Sequence, residues 1–174
     1  MHQVLHREVQ YLRQKFITIL VIVAVLVPLV YMIIAFILQI GFDIEISNNS
    51  MTGTSLFKSV ILAVVFAGCM ILLFRYTNLM IEIRTDGFHY KYFPFHKKVH
   101  RIAPEDVISW EIKIFRPIAD YGGWGIRFGF GNMGKGYIAG GNKGVQFLFA
   151  NNKKVLFSLN EPEKAKIALE KIFK

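Results

Sequence analysis

The side chains that could support chemistry are few, and they form no recognisable catalytic set. His96 and His100 are four residues apart, a metal-ligand spacing on a helix, but the residues around them have the pattern of a strand and a turn. Glu105 and Asp106 follow Pro104 and indicate a turn or a short helical cap. No histidine, cysteine or carboxylate has a convincing nucleophile–base partner, so we predict a non-enzyme without a metal or cofactor.

A glycine-rich stretch at 129–134 fits the nucleotide-binding pattern GxGxxG, and 129–135 fits a truncated phosphate loop. Both patterns need a helix directly after the glycines, because the amide groups of its first turn bind the phosphate. Here the chain continues Lys-Gly-Tyr-Ile-Ala-Gly-Gly from Lys135, which is not a helical sequence, and Gly136 replaces the required Ser or Thr. We therefore expect no nucleotide site.

Two apolar runs dominate the first half of the chain. Residues 16–38 carry no charge, and 56–74 are interrupted only by Lys58. Helices of this length cover the ~30 Å hydrocarbon core of a bilayer. The pattern predicts a transmembrane hairpin over 16–74, with helices at about 16–38 and 56–74 and a kink at Pro28.

The positive charges around these runs predict an orientation. Basic residues precede the first run and follow the second, whereas the connecting loop at 39–55 contains no lysine or arginine. We predict a multi-pass protein of the cell (plasma) membrane with both termini cytoplasmic. Its N-terminal segment, 1–15, is expected to form a short interfacial helix or no regular structure.

The remaining part, 75–174, changes to a strand-like alternation of apolar and polar residues. About seven short strands separated by turns predict a small barrel or sandwich. Asn160 and Glu163 then have the spacing of a capping box, which predicts a C-terminal amphipathic helix at 161–173. The expected soluble part is therefore of the α+β class.

One motif adds a resemblance to this pattern. Residues 121–127 read Tyr-Gly-Gly-Trp-Gly-Ile-Arg, and from Ala139 the chain reads Ala-Gly-Gly-Asn-Lys-Gly-Val-Gln. The chain is similar in these segments to bacterial pleckstrin-homology-like (PH-like) domains of small two-helix membrane proteins. The resemblance implies a seven-stranded PH-like β domain with a capping helix, and it says little about function. The motif residues, which we expect to be mainly structural, are Tyr121, Gly122, Gly123, Trp124, Gly125, Arg127 and Gly144.

The charge balance points to anionic partners. The chain has a net charge of +9, and most of it lies in 75–174. Candidate surface or lipid contacts are Lys91, Lys97, Lys98, Arg101, Arg127 and Lys143. The leading hypothesis is a membrane-anchored interaction module that makes protein–protein contacts or self-associates through a strand edge. The alternative is peripheral recognition of anionic lipid headgroups by the basic–aromatic hairpin at 93–101, whose other interpretation is a solvated edge. An enzyme or a transporter subunit is less favoured, and no nucleic-acid partner is expected.

Overall fold

The computed structural model describes residues 3–12, 15–41 and 53–173, and the chain forms two compact units. One unit combines Met1–Arg13 with Arg75–Lys174, and the other is Gln14–Phe74. Most of the predicted connecting loop, 42–52, lies outside the described residues.

The second unit is helical. Helix α1 spans Lys15–Gly41 and contains Pro28, and helix α2 spans Gly53–Tyr76. A membrane-spanning helix needs about 20 consecutive apolar residues, and across the described ranges no helix is long and apolar enough to meet that need. The predicted transmembrane hairpin, with helices at 16–38 and 56–74, and the multi-pass plasma-membrane location with cytoplasmic termini are therefore contradicted. The kink at Pro28 stays a prediction.

The N-terminal segment forms a strand rather than the predicted helix or irregular lead-in. Strand β1, Val4–Tyr11, pairs antiparallel with β2, Asn78–Arg84. Its buried side chains are polar, namely His6, Glu8 and Gln10. The residues that point inward at every second position are polar rather than apolar. The usual sequence signal for a strand, an apolar residue at every second position, is therefore absent.

Nine strands form two sheets in the described part of the chain. The first sheet has the order β1-β2-β3-β4, where β3 is Gly87–Phe93 and β4 is His100–Ile102. A single 3-10 turn, Pro104–Asp106, leads into the second sheet. The strands of the second sheet are β5 (Val107–Ile114), β6 (Gly125–Phe128), β7 (Lys135–Ile138), β8 (Lys143–Phe149) and β9 (Lys154–Ser158). Their order is β5-β8-β9-β7-β6, antiparallel except for β7 and β9.

This topology corrects the predicted fold. The predicted seven-stranded PH-like barrel or sandwich is contradicted. The N-terminal segment adds a strand to the first sheet, and the described strands divide into sheets of four and five. The fold described is α+β, with two sheets and four helices. The two further helices are α3 (Pro117–Tyr121) and α4 (Pro162–Glu170).

The two sheets share one apolar core. Phe88 of the first sheet lies 4.9 Å, between ring centroids, from both Phe147 and Phe157 of the second. Helix α4 buries Ala168 and Leu169 against the same cluster. Each large side chain buried in this way contributes about 1.5–3 kcal/mol, so the sheets and α4 stabilise one another.

Helix α4 is not capped by the predicted capping box. Its N-cap residue is Glu161, whose side chain makes no capping hydrogen bond. Instead, the buried carboxylate of Glu8 accepts the backbone N–H groups of Asn160 (3.3 Å) and Glu161 (3.2 Å). The predicted capping box of Asn160 and Glu163 is therefore not formed. A side chain 153 residues away in sequence instead binds the backbone that leads into the helix.

A second buried hydrogen-bond chain extends from β1 to the other sheet. The Gln10 amide donates to Glu8 Oε1 at 2.5 Å and to the carbonyl oxygen of Ser158 at 2.6 Å. The Ser158 hydroxyl donates back to Gln10 Oε1 at 2.8 Å and accepts the N–H of Ala139 at 3.0 Å. These polar groups can be buried because each of them forms hydrogen bonds with the others.

Candidate functional site

The basic–aromatic hairpin between β3 and β4 is exposed at its tip. Lys97 and Lys98 lie there with little burial. Beside them, the side chain of Phe95 is 63% exposed and that of Val99 is 44% exposed. The hairpin therefore presents two ammonium groups next to apolar surface.

The other predicted contact residues lie on separate elements. Arg101, on β4, donates from Nε to the carbonyl oxygen of Asp86 at 2.9 Å. Arg127, on β6, donates from Nε to the carbonyl oxygen of Trp124 at 2.9 Å. Lys91 is partly buried on β3, and Lys143 is exposed at the start of β8. The six cations are thus spread over the hairpin and four strands, and Arg101 and Arg127 are held by backbone carbonyls.

The same hairpin brings His96 and His100 together, which the sequence did not predict. Their ring centroids are 4.5 Å apart, and the His100 ring stacks on Tyr90 at 5.4 Å. Tyr137 of β7 lies 5.5 Å from His96, and the Lys135 ammonium lies 4.8 Å from the Tyr137 ring. We call these five residues the His–Tyr cluster. Tyr137 and Lys135 come from the other sheet, so no local spacing could have indicated it.

The surroundings of His96 favour its neutral imidazole form. Burial, followed by the charges of His100 and Lys135, lowers the pKa of His96. Burial, with Tyr137 nearby, raises the pKa of Tyr90 well above its ordinary value. Because the Lys135 ammonium group lies on the neighbouring Tyr137 ring and its charge acts on His96, a bound cation is disfavoured here.

The first part of the glycine–tryptophan motif ends a helix. Gly122 follows α3 with φ 70°, and its N–H bonds to the carbonyl oxygen of Ile118 at 2.9 Å. Gly122, Gly123 and Gly125 all have positive φ. Helix α3 was not predicted, since a five-residue helix is too short to show a period.

The ring of Tyr121 explains much of the glycine pattern. The ring is buried, which raises its pKa to about 12, and its hydroxyl bonds to the carbonyl oxygen of Met133 at 3.3 Å. A Cβ added to Gly129 or Gly136 would come within 2.9 or 2.8 Å of this ring. These glycines of the nucleotide-like stretch therefore make room for a tyrosine, and the stretch leads into strand β7 rather than a helix.

The remaining motif residues also have structural roles. Trp124 is partly buried and packs against the small cluster around Tyr121, although its Nε1 has no hydrogen-bond partner among the residues that the structure describes. Gly144 lies against the carbonyl of Phe157, where a Cβ would clash. Arg127 is the motif residue with an exposed charge.

Strand β5 is the longest edge of the second sheet. It has eight residues, whereas the opposite edge, β6, has four. β5 pairs with β8 on one side only. The side chains of Ile108 and Ile114 are 63% and 69% exposed. We call the side of β5 that faces away from β8 the β5 edge.

The direction of the backbone groups on β5 follows from its register. The N–H of Phe115 bonds to the carbonyl oxygen of Asn142 at 2.8 Å, and the pairing continues through Glu111 opposite Gln146. Every second residue of a strand directs its N–H and C=O groups to the same side. The backbone groups of Glu111 and Lys113 therefore point toward β8, as those of Phe115 do. Trp110, Ile112 and Ile114 therefore direct their N–H and C=O groups to the β5 edge, where no backbone bond to a described residue is found.

Two clefts lie along β5. The first, about 440 Å³, is lined by Val107, Trp110 and Phe173 among others. The second, about 350 Å³, is lined by Glu111, Lys113 and Gln146 among others. Trp110 lines both, and its Nε1 donates to the carbonyl oxygen of Phe173 at 3.2 Å. An added strand would thus find open backbone groups and space for side chains.

Comparison of the chain with protein-family models, with curated proteins and with solved structures finds no match. The resemblance to bacterial PH-like domains therefore stays a prediction based on residues 121–127 and the segment from Ala139.

Proposed function

We propose that this protein is an interaction module that binds an extended segment of a protein partner along the β5 edge. The observation that carries the proposal is the row of outward-facing backbone groups at Trp110, Ile112 and Ile114, with a cleft on each side. A strand that adds to a sheet edge gains main-chain hydrogen bonds, and its alternate side chains can enter such clefts.

The edge lacks the usual protection against such pairing. Natural edge strands are often short, covered, or interrupted by proline. β5 is eight residues long and contains no proline, and its bulge lies at one end, between Val107 and Ser109. Glu111 and Lys113 are its charged residues, and they lie on the face opposite the core.

A proline at Ile114 would test the proposal with little damage to the fold. The Ile114 N–H faces the β5 edge, so Ile114→Pro removes no bond to β8, and the side chain it replaces is exposed. Phe128→Pro is the matched control, because Phe128 is an exposed residue of the edge strand β6, whose pairing with β7 likewise directs its N–H outward.

The measurement is selection from a displayed library of random peptides against the full-length chain. We expect selected peptides to bind the wild type and the Phe128→Pro variant equally and the Ile114→Pro variant at least tenfold more weakly. Bound peptide should also slow hydrogen exchange at residues 110, 112 and 114. Peptides that bind all three chains alike would contradict the proposal.

The hairpin tip supports a second candidate, recognition of anionic lipid headgroups. Lys97 and Lys98 lie beside the exposed Phe95. Each lysine near an anionic surface contributes about 1 kcal/mol, so the charge-dependent part of vesicle binding should fall roughly 30-fold in a K97Q/K98Q variant. The measurement compares vesicles with and without phosphatidylglycerol at two salt concentrations. Equal charge dependence in the variant and the wild type would exclude this candidate.

A further inference from the structure

We infer that the segment bound at the β5 edge is β5 of a second copy of this chain, in an antiparallel, two-fold arrangement centred on Ile112. The inference rests on the proposed function and names the partner of that same edge. It follows from the backbone directions, the charges and the exposed apolar side chains of one strand.

The backbone directions restrict the possible registers. Two antiparallel strands can pair only if the residues opposite each other both direct their backbone groups to the shared edge or both direct them away. On β5 the first set is Trp110, Ile112 and Ile114, and the second is Ser109, Glu111 and Lys113. A two-fold pairing must therefore place a residue opposite its own copy.

The charges select one of these registers. Centring on Glu111 or on Lys113 would place two like charges opposite each other, which destabilises a sheet pair. Centring on Trp110 or Ile114 would place Lys113 opposite an apolar residue, Val107 or Phe115. Centring on Ile112 places Glu111 of each copy opposite Lys113 of the other, on the same face of the combined sheet.

The side chains are in place for these pairs. Glu111 is exposed, and it takes part in none of the ion pairs found among the described residues. Lys113 Nζ donates to Gln146 Oε1 at 3.2 Å, which holds the ammonium group over the outer face of the sheet. In the proposed register these two residues form a non-hydrogen-bonded pair, the type in which side chains are closest.

The apolar side chains agree with the same register. It places Ile114, an exposed isoleucine, directly opposite Trp110 of the other copy. Trp110 lines the 440 Å³ cleft, so each Ile114 would lie beside this cleft in its partner and lose exposed apolar surface. Because the contact is two-fold symmetric, each copy buries the same apolar surface.

Reversed charges test the register in the full-length chain. Glu111→Lys gives a chain with two lysines on β5, and Lys113→Glu gives one with two glutamates. Each variant alone places like charges opposite each other, whereas a mixture of the two restores both pairs. We expect pairing between differently tagged E111K and K113E chains to exceed self-pairing of either by roughly tenfold, and the double variant E111K/K113E to self-associate like the wild type.

The baseline is the Ile114→Pro chain, which removes β5 pairing but keeps any association through other surfaces. Association above this baseline without a preference for the mixed pair would overturn the register while leaving the β5 edge in use. Wild-type association no greater than that of Ile114→Pro would overturn self-pairing altogether. Peptide selection would then decide the proposed function independently.

Discussion

Replacing Glu8 with alanine tests how the first strand and the last helix depend on each other. The buried Glu8 carboxylate accepts the N–H groups of Asn160 and Glu161 at the start of α4, and it also accepts the Gln10 amide. Loss of a hydrogen-bond acceptor for partly buried backbone N–H groups costs about 1–2 kcal/mol, and loss of a partner for a buried amide adds about 1–3 kcal/mol. Because Gln10 keeps its bond to Ser158, we expect a total of about 2–4 kcal/mol.

Urea unfolding followed by tryptophan fluorescence measures this cost. Trp110 is a suitable probe, since its Nε1 bonds to the carbonyl oxygen of Phe173 just beyond α4. Glu163→Ala is the control: Glu163 is exposed in the first turn of α4, and we expect its loss to change the free energy of unfolding by less than about 0.5 kcal/mol. A larger loss of stability for Glu163→Ala than for Glu8→Ala would refute the link between β1 and the start of α4 and support the local capping box.

Two further predictions concern the His–Tyr cluster and the ring of Tyr121. His100→Asn should raise the pKa of His96, because it removes one of the charges that lower it; NMR titration measures this, and an unchanged or lower pKa would contradict the contact. The wild-type chain should lose stability as the pH falls below about 6.5, since His96 then binds protons more readily in the unfolded state. Gly136→Ala should destabilise the fold by about 1–3 kcal/mol through contact with Tyr121. In a Tyr121→Ala background the same change should cost much less, and equal costs would exclude that contact.

Much of the β structure could be predicted from local patterns. The alternation of apolar and polar residues predicted short strands within 75–174, and β2, β3, β5, β8 and β9 lie in that range. These strands each have one apolar face against the shared core, which is the condition under which a period of two is visible.

The predictions for the N-terminal segment and for the overall fold were wrong for a common physical reason. Both depend on contacts between residues that are distant in sequence. β1 directs His6, Glu8 and Gln10 inward, and they are satisfied by Ser158 and the start of α4. The neighbouring sequence does not indicate that hydrogen-bond partners for these side chains exist. The prediction of a seven-stranded PH-like barrel or sandwich failed for a related reason, because the N-terminal strand joins the first sheet through residues distant in sequence.

The candidate site was predictable only in part. A strand edge could be proposed for self-association, but neither the edge nor its register could be chosen. That choice needs the strand order, which puts β5 at the end of its sheet, and one hydrogen bond from Phe115 that fixes which backbone groups face outward. The His–Tyr cluster likewise depends on Tyr137 and Lys135 from the opposite sheet.

Hydrogen exchange along β5, measured at low and high protein concentration, tests the central claim most directly. At low concentration the amides of 109, 111 and 113 should exchange slowly, because they face β8, and those of 110, 112 and 114 should exchange fast. At high concentration the second group should become protected in the wild type. In the Ile114→Pro chain, whose residue 114 has no amide proton, the amides of 110 and 112 should stay fast. Fast exchange at 110 and 112 at every concentration would contradict pairing of β5 with a second copy.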